Sequence, residues 1–286
     1  MDNDGREVSP GSHWSVANPT EQTERVRLRS DEGSGTPVVL LHGQPGTGGD
    51  WARVTPLLAG QDLRVLTVDR PGYGEAPGPA RDWAGNAAAL FGLLDELAID
   101  DAIVLGYSWA GGVALEAALI APARVRGLVL MGSVGHPVAL TASDRLLAVR
   151  AVNRGMSRFM AQLGPRAVHI LKAVSGSTVD EDAHSHLAHD AAQWRTDGTW
   201  ESFAQEQEFL VRDTPTLGAR LAEISTPTVL LHGWKDDVVP FRAGGALAAA
   251  LPHARLEVVE GGHILQFERP EAVAATVISF AASLPG

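Results

Sequence analysis

Ala102-Ile103-Val104-Leu105-Gly106-Tyr107-Ser108-Trp109-Ala110-Gly111 runs from a short apolar segment into Gly112-Val113-Ala114-Leu115-Glu116-Ala117-Ala118-Leu119, whose composition favours a helix. A serine on the sharp turn between a strand and a helix is presented as a nucleophile. So tight a turn forces the serine into a strained backbone conformation. It also needs small residues two before and two after, the places held by Gly106 and Ala110. Taken alone, the string also describes an ordinary helix start with serine as its N-cap. The rest of the chain separates the two readings.

Outward from this turn, short Val/Leu/Ile runs alternate with longer helical stretches. The runs are Val38–Leu41, Val65–Val68, Ile103–Leu105, Leu128–Met131, Val229–Leu231 and Leu256–Val259. Most are apolar at every position, as strands covered on both faces must be. Helices are predicted over Trp51–Ala59, Trp83–Ala98, Gly111–Ala121, Arg242–Ala250 and Pro270–Ser283. This alternation predicts an α/β fold with a doubly wound, mostly parallel sheet. It breaks once, between Pro137 and Glu223, where helices are predicted over Asp144–Leu163, Asp180–Trp194 and Trp200–Val211. The predicted organisation is a polar tail over residues 1–24, a core over 25–136 and 224–286, and a helical cap over 137–223. A cap leaving a strand's carboxyl end would roof the place where open α/β sheets bind ligands.

The 286 residues suit one large domain, or one domain with an insertion. Apolar residues at 45% and charged residues at 20% fit a globular core and exclude a disordered chain. A net charge of −11 argues against nucleic acid and anionic membrane surfaces as partners. The absence of cysteine removes disulfide, thiolate and Cys-metal chemistry and fits a cytoplasmic location. Met1–Glu7 lacks the basic and apolar regions of a signal peptide, and no apolar run is long enough to span a bilayer.

A serine hydroxyl needs a base within hydrogen-bond reach, and that base needs an orienting acid. Gly233-Trp234-Lys235-Asp236-Asp237-Val238-Val239-Pro240 follows one late apolar run, and Gly261-Gly262-His263 follows the next. The chain order Ser108, Asp236, His263 is the order of one hydrolytic fold in particular.

The chain thereby resembles the α/β-hydrolase superfamily, in its large group with a serine nucleophile and a helical cap. His42-Gly43-Gln44-Pro45-Gly46 resembles the family's oxyanion turn, and Asp69-Arg70-Pro71-Gly72-Tyr73-Gly74 its Asp-x-x-Gly-x-Gly turn. Gly233-x-x-Asp236-x-x-x-Pro240 resembles the acid loop, a spacing that favours Asp236 over its competitor Asp237. Gly262-His263 with Glu268-Arg269-Pro270-Glu271 resembles the terminal histidine segment. Glu75 departs from the small hydroxyl residue usual after Gly-x-Gly.

The resemblance implies that Ser108 attacks a carbonyl carbon, that His263 transfers the proton and that Asp236 orients the imidazole. The backbone N–H groups of Gln44 and Trp109 would form the oxyanion hole, and His42 would tie its own loop. No cofactor and no metal are implied. The partner is a small molecule, an apolar ester, lactone or related acyl compound. The same triad serves a proline-iminopeptidase-like aminopeptidase, a C–C bond hydrolase and a haloperoxidase-like perhydrolase, and a ligand-binding receptor keeps the same pocket. Oligomeric state is left open.

Trp109, Trp194 and Trp200 are candidates to line the substrate pocket. His184, His186 and His189 among Asp180, Asp182 and Asp190 read as a solvated helix, because His184 and His186 point to different sides of it. Arg150, Arg154 and Arg158 form one helical stripe, read as a solvated face.

Overall fold

A computed structural model describes residues 26–285 except 77, 164–165, 167–168, 171–174 and 191–196. The predicted tail and Trp194 lie outside the described residues. Each of the six apolar runs falls in a strand. In chain order the strands are β1 (Arg27–Gly33), β2 (Thr36–Leu41), β3 (Leu63–Asp69), β4 (Ala102–Tyr107), β5 (Val125–Met131), β6 (Thr228–Gly233) and β7 (Ala254–Val259). They form one sheet in the order β1-β3-β2-β4-β5-β6-β7, parallel throughout except where β1 meets β3. β4 and β6 are buried at every position, which is why their sequences are continuous apolar runs.

The two edges differ. β7 leaves Val258 exposed. β1, Arg-Leu-Arg-Ser-Asp-Glu-Gly, buries no residue fully and is rich in charge, as an unpaired edge requires. No apolar run announces it, so it goes unpredicted.

Helices cover both faces. Alternate strand residues serve opposite layers: Val39, Leu41, Val104 and Leu128 belong to one apolar cluster, and Val38, Leu40, Ile103 and Val129 to the other. The core helices are α1 (Thr55–Ala59), α2 (Trp83–Glu96) and α3 (Ala110–Ile120). The helix predicted over Trp51–Ala59 is instead a 3-10 turn, Gly48–Trp51, followed by α1. Pro56 lacks the N–H that would continue a helix from Trp51 and sits in the first turn of a new one.

Between β5 and β6 come α4 (Ala142–Leu147), α5 (Arg150–Leu163), α6 (Glu181–Asp190) and α7 (Asp197–Arg220), with no strand among the described residues. The single helix predicted over Asp144–Leu163 is two, and Thr141 and Asp144 close a capping box at the start of α4. α7 outruns its predicted end at Val211 and passes through Pro215. Leu210 and Leu217 are buried in the core there, and that packing overrides the proline's local cost. α7 joins the two layers, since Trp200 and Phe203 at its other end belong to the opposite cluster. The chain closes with α8 (Phe241–Ala250), α9 (Leu265–Glu268) and α10 (Pro270–Ser283). No helix among the described residues is long and apolar enough to cross a membrane.

Candidate active site

Ser108 stands between β4 and α3 at φ 54°, a left-handed conformation that a non-glycine residue rarely adopts. The serine N–H donates to the Met131 carbonyl at 2.9 Å, and the Val134 N–H donates to the Ser108 carbonyl at 3.1 Å. These bonds to the end of β5 hold a strain of about 1–3 kcal/mol in place. Gly106 is required sterically, because a Cβ there would lie 2.5 Å from the Ala110 carbonyl oxygen.

Loops from the ends of β6 and β7 bring the other two groups. His263 Nε2 lies 2.9 Å from Ser108 Oγ, and His263 Nδ1 lies 2.8 Å from Asp236 Oδ2. A carboxylate can only accept, so Nδ1 carries the proton and Nε2 is left to accept from the serine hydroxyl. Asp236 Oδ1 accepts from the N–H groups of Val238 and Val239, both at 2.9 Å. Asp237, the competing acid, is exposed.

The imidazole's loop is anchored by its backbone. The His263 N–H donates to the Ser175 carbonyl at 2.9 Å. Glu268 accepts from Gly262 N–H at 2.7 Å and from Thr178 N–H at 2.6 Å, tying the histidine loop to the chain ahead of α6. His232 sits behind the acid, 3.4 Å from Asp236 Oδ2, and donates from Nε2 to the Val239 carbonyl at 3.0 Å. Burial lowers its pKa.

The His42-Gly43-Gln44 turn faces the serine so closely that a Cβ on Gly43 would lie 3.1 Å from Ser108 Cβ. Neither the Gln44 nor the Trp109 backbone N–H meets a protein acceptor among the described residues. Trp109 is the N-cap of α3, where the helix's positive end favours developing negative charge. His42 ties its loop as expected: Nδ1 donates to the Gly43 carbonyl at 2.8 Å, and Nε2 accepts from the Arg70 N–H at 3.0 Å. Burial, and then the Arg70 charge, hold its pKa well below the ordinary 6.5.

Arg70 is the main residue that the sequence did not reveal. Its fully buried guanidinium donates to the His42 carbonyl at 2.9 Å and the Gly43 carbonyl at 2.8 Å. It also pairs with Glu206 of α7, itself fully buried, and Tyr73 Oη donates to Glu206 Oε2 at 2.7 Å. Burial raises the Glu206 pKa, against the opposing pull of Arg70. The guanidinium lies 4.6 Å from the Trp109 ring centroid, and that indole N–H donates to the Glu206 carbonyl at 3.1 Å. The Asp69-Arg70-Pro71-Gly72-Tyr73-Gly74 turn thus carries a brace from α7 to the His42-Gly43-Gln44 turn. The Glu75 departure has no local cost, because its side chain is exposed and the turn uses its N–H, which donates to Asp69 at 2.9 Å.

Above Ser108 lies a cavity of about 480 Å³, within the range of small-molecule sites. Leu147, Met156, Met160, Trp200 and Phe203 from the helices between β5 and β6 line it. Trp200, a candidate from the sequence, is among these cavity-wall residues. Trp109 also lines the cavity, but its indole packs on Arg70 and on Trp83, at 5.9 Å between ring centroids. Trp194 is outside the described residues.

Some members of the other charged clusters are paired. Arg53 holds Asp180 at 3.0 Å and Asp182 at 3.5 Å, and Arg150 grips Glu208 at 2.7 Å. His186 Nδ1 donates to the Asp182 carbonyl at 3.0 Å.

The buried neutral histidines predict a pH dependence of stability. A histidine whose folded pKa is depressed takes up its proton more readily when unfolded. Its contribution is complete above 6.5 and is lost as pH falls from there through the folded value. Thermal unfolding is expected to show Tm falling between pH 7.5 and 5.5. His42→Gln, which keeps an acceptor for the Arg70 N–H and cannot titrate, should flatten that slope. An unchanged slope would remove His42 from the account.

The model of the alpha/beta hydrolase fold matches residues 36–270. The 2-hydroxy-6-oxononadienedioate/2-hydroxy-6-oxononatrienedioate hydrolase of Cupriavidus pinatubonensis is 32% identical over 88% of this chain and 89% of that protein. The 2-hydroxymuconate semialdehyde hydrolase of Pseudomonas sp. (strain CF600) is 31% identical over 88% and 89%. Among solved structures, an esterase from Exiguobacterium antarcticum superposes with a TM-score of 0.73 at 24% identity, over 90% of this chain and 96% of that one. With its sheet order, its helical layers and a match across most of its length, the chain belongs to the α/β-hydrolase family and is an enzyme of that family.

Proposed function

We propose that this enzyme hydrolyses a small-to-medium, uncharged ester, lactone or related acyl compound, with α4–α7 as the cap over its site. The carrying observation is the hydrogen-bonded line Ser108–His263–Asp236 beneath a largely apolar cavity. Ser108 Oγ attacks the carbonyl carbon while His263 Nε2 takes its proton. Asp236 stabilises the imidazolium that forms. The oxyanion accepts from the N–H groups of Gln44 and Trp109, and losing one donor of this kind raises a barrier by about 3–4 kcal/mol. The imidazolium then protonates the departing alcohol. Water, deprotonated by His263, cleaves the acyl-enzyme and frees Ser108.

The names of the relatives favour a second reading, hydrolysis of a C–C bond next to a carbonyl. It uses the same three groups, with His263 protonating carbon instead of oxygen. The kcat/KM ratio for p-nitrophenyl butyrate over 2-hydroxymuconate semialdehyde separates the two. Ester hydrolysis predicts a ratio of about 100 or more, a discrimination within reach of a polar mismatch in a buried site. A ratio below one replaces it with the second reading.

A further inference from the structure

The largely apolar cavity above Ser108 carries three carboxamides in its wall. Gln44, Gln207 and Gln266 all line it, and the Oε1 atom of each is buried without a hydrogen-bond partner among the described residues. Gln207 is 4% exposed and Gln266 is 1% exposed, so neither oxygen is satisfied by bulk water. A buried acceptor left unmet costs stability, and native proteins keep few of them.

Both carboxamides are carried on helices, Gln207 on α7 and Gln266 on α9. Gln266 stands on α9, three residues after His263. Gln207 follows Glu206, whose side chain is gripped by Arg70 and whose carbonyl receives the Trp109 indole N–H. Both present an unpartnered acceptor in the cavity wall.

The charged lining has the same sign of preference. Asp50, Asp144 and Asp237 line the cavity, and no described lysine or arginine does. Asp144 is already used by the Thr141 N–H at 2.7 Å and the Thr141 hydroxyl at 2.6 Å, and Asp237 is exposed at the rim. The wall therefore offers acceptors and negative charge, with no cation to receive a carboxylate.

From these two observations we infer that the site selects an uncharged acyl substrate bearing a hydroxyl or amide N–H remote from the scissile bond, received by Gln207 and Gln266, and that it rejects carboxylate-bearing substrates. The relatives named for dioates act on dicarboxylates, so this chain differs from them in the charge of its substrate. The inference rests on the proposed hydrolysis at Ser108.

Four methyl esters of one chain length test it: methyl hexanoate, methyl 6-hydroxyhexanoate, monomethyl adipate and methyl 6-aminohexanoate, followed by acid release at constant pH. The hydroxy ester should exceed methyl hexanoate about 10-fold in kcat/KM, and monomethyl adipate should fall about 100-fold below it. In the near-isosteric double variant Gln207→Met/Gln266→Met the hydroxy-to-alkyl ratio should collapse to about one. Methyl hexanoate or monomethyl adipate as the best of the four would overturn the inference. So would the amine as the best, since the carboxylates would then be choosing. Thermal stabilisation of Ser108→Ala by the same esters gives an independent reading, in which the hydroxy ester should shift Tm more than the alkyl one. If no ester is turned over and a fluorophosphonate fails to label the wild type, yet Ser108→Ala still prefers the hydroxy ester, hydrolysis fails and the selectivity stands. Turnover of all four without preference is the reverse.

Discussion

Ser108→Ala is expected to lower kcat for p-nitrophenyl butyrate by about 10⁶-fold, the loss seen when a serine nucleophile acting with its base is removed. Ser108 Oγ lies 2.9 Å from an imidazole nitrogen that is free to accept, and the chain offers no cysteine as a substitute nucleophile. The residual rate would come from binding and from the N–H groups of Gln44 and Trp109. Fluorophosphonate labelling should vanish in the same variant. Activity within 10-fold of the wild type would dismiss Ser108 as the nucleophile. Ser108→Gly separates chemistry from conformation. It too removes the hydroxyl, but glycine tolerates φ 54° and should relieve about 1 kcal/mol of backbone strain. Its Tm should therefore exceed that of Ser108→Ala, and a lower Tm would mean that the elbow stores little strain.

The second large effect is expected at a residue distant in sequence from the triad. Arg70→Met strands Glu206 as a buried carboxylate without its cation and removes the guanidinium bonds to the His42 and Gly43 carbonyls, leaving the latter only the His42 ring as donor. Breaking a buried pair by removing one partner costs about 3–5 kcal/mol, so Tm should drop sharply. Arg70 touches no reacting atom, and its role is to position the oxyanion turn. The double variant Arg70→Met/Glu206→Met distinguishes positioning from bulk stability, because replacing both charges by apolar side chains restores much of the lost stability. Tm should recover while kcat stays at least about 10-fold down, with KM little changed. Full recovery of kcat with Tm would reduce Arg70 to a structural brace.

The fold was legible because parallel strands covered on both faces must be apolar throughout, as Ile103–Leu105 and Val229–Leu231 are. β1 was hidden because it lies at an edge and needs only alternating half-burial. The elbow, the acid loop and the histidine loop were legible because each combines a chemical residue with glycines that a turn demands. The Arg70–Glu206 pair was not, since its members stand 136 residues apart and an arginine reads as surface until a fold encloses it. Trp109 shows the same limit. Its place beside the nucleophile was readable, whereas the packing of its indole on Arg70 depends on how α7 docks.

Neighbouring positions on α7 hold two different tasks. Glu206 anchors the arginine that fixes the oxyanion turn, and Gln207 lines the cavity. A substrate that pushes Gln207 aside also tugs on Glu206, and through Arg70 on the Gly43 carbonyl next to Gln44. One helix thus links the cavity wall to the turn that faces Ser108. Misfit compounds should reveal themselves as slow turnover at saturation, and affinity alone will misrank candidate substrates.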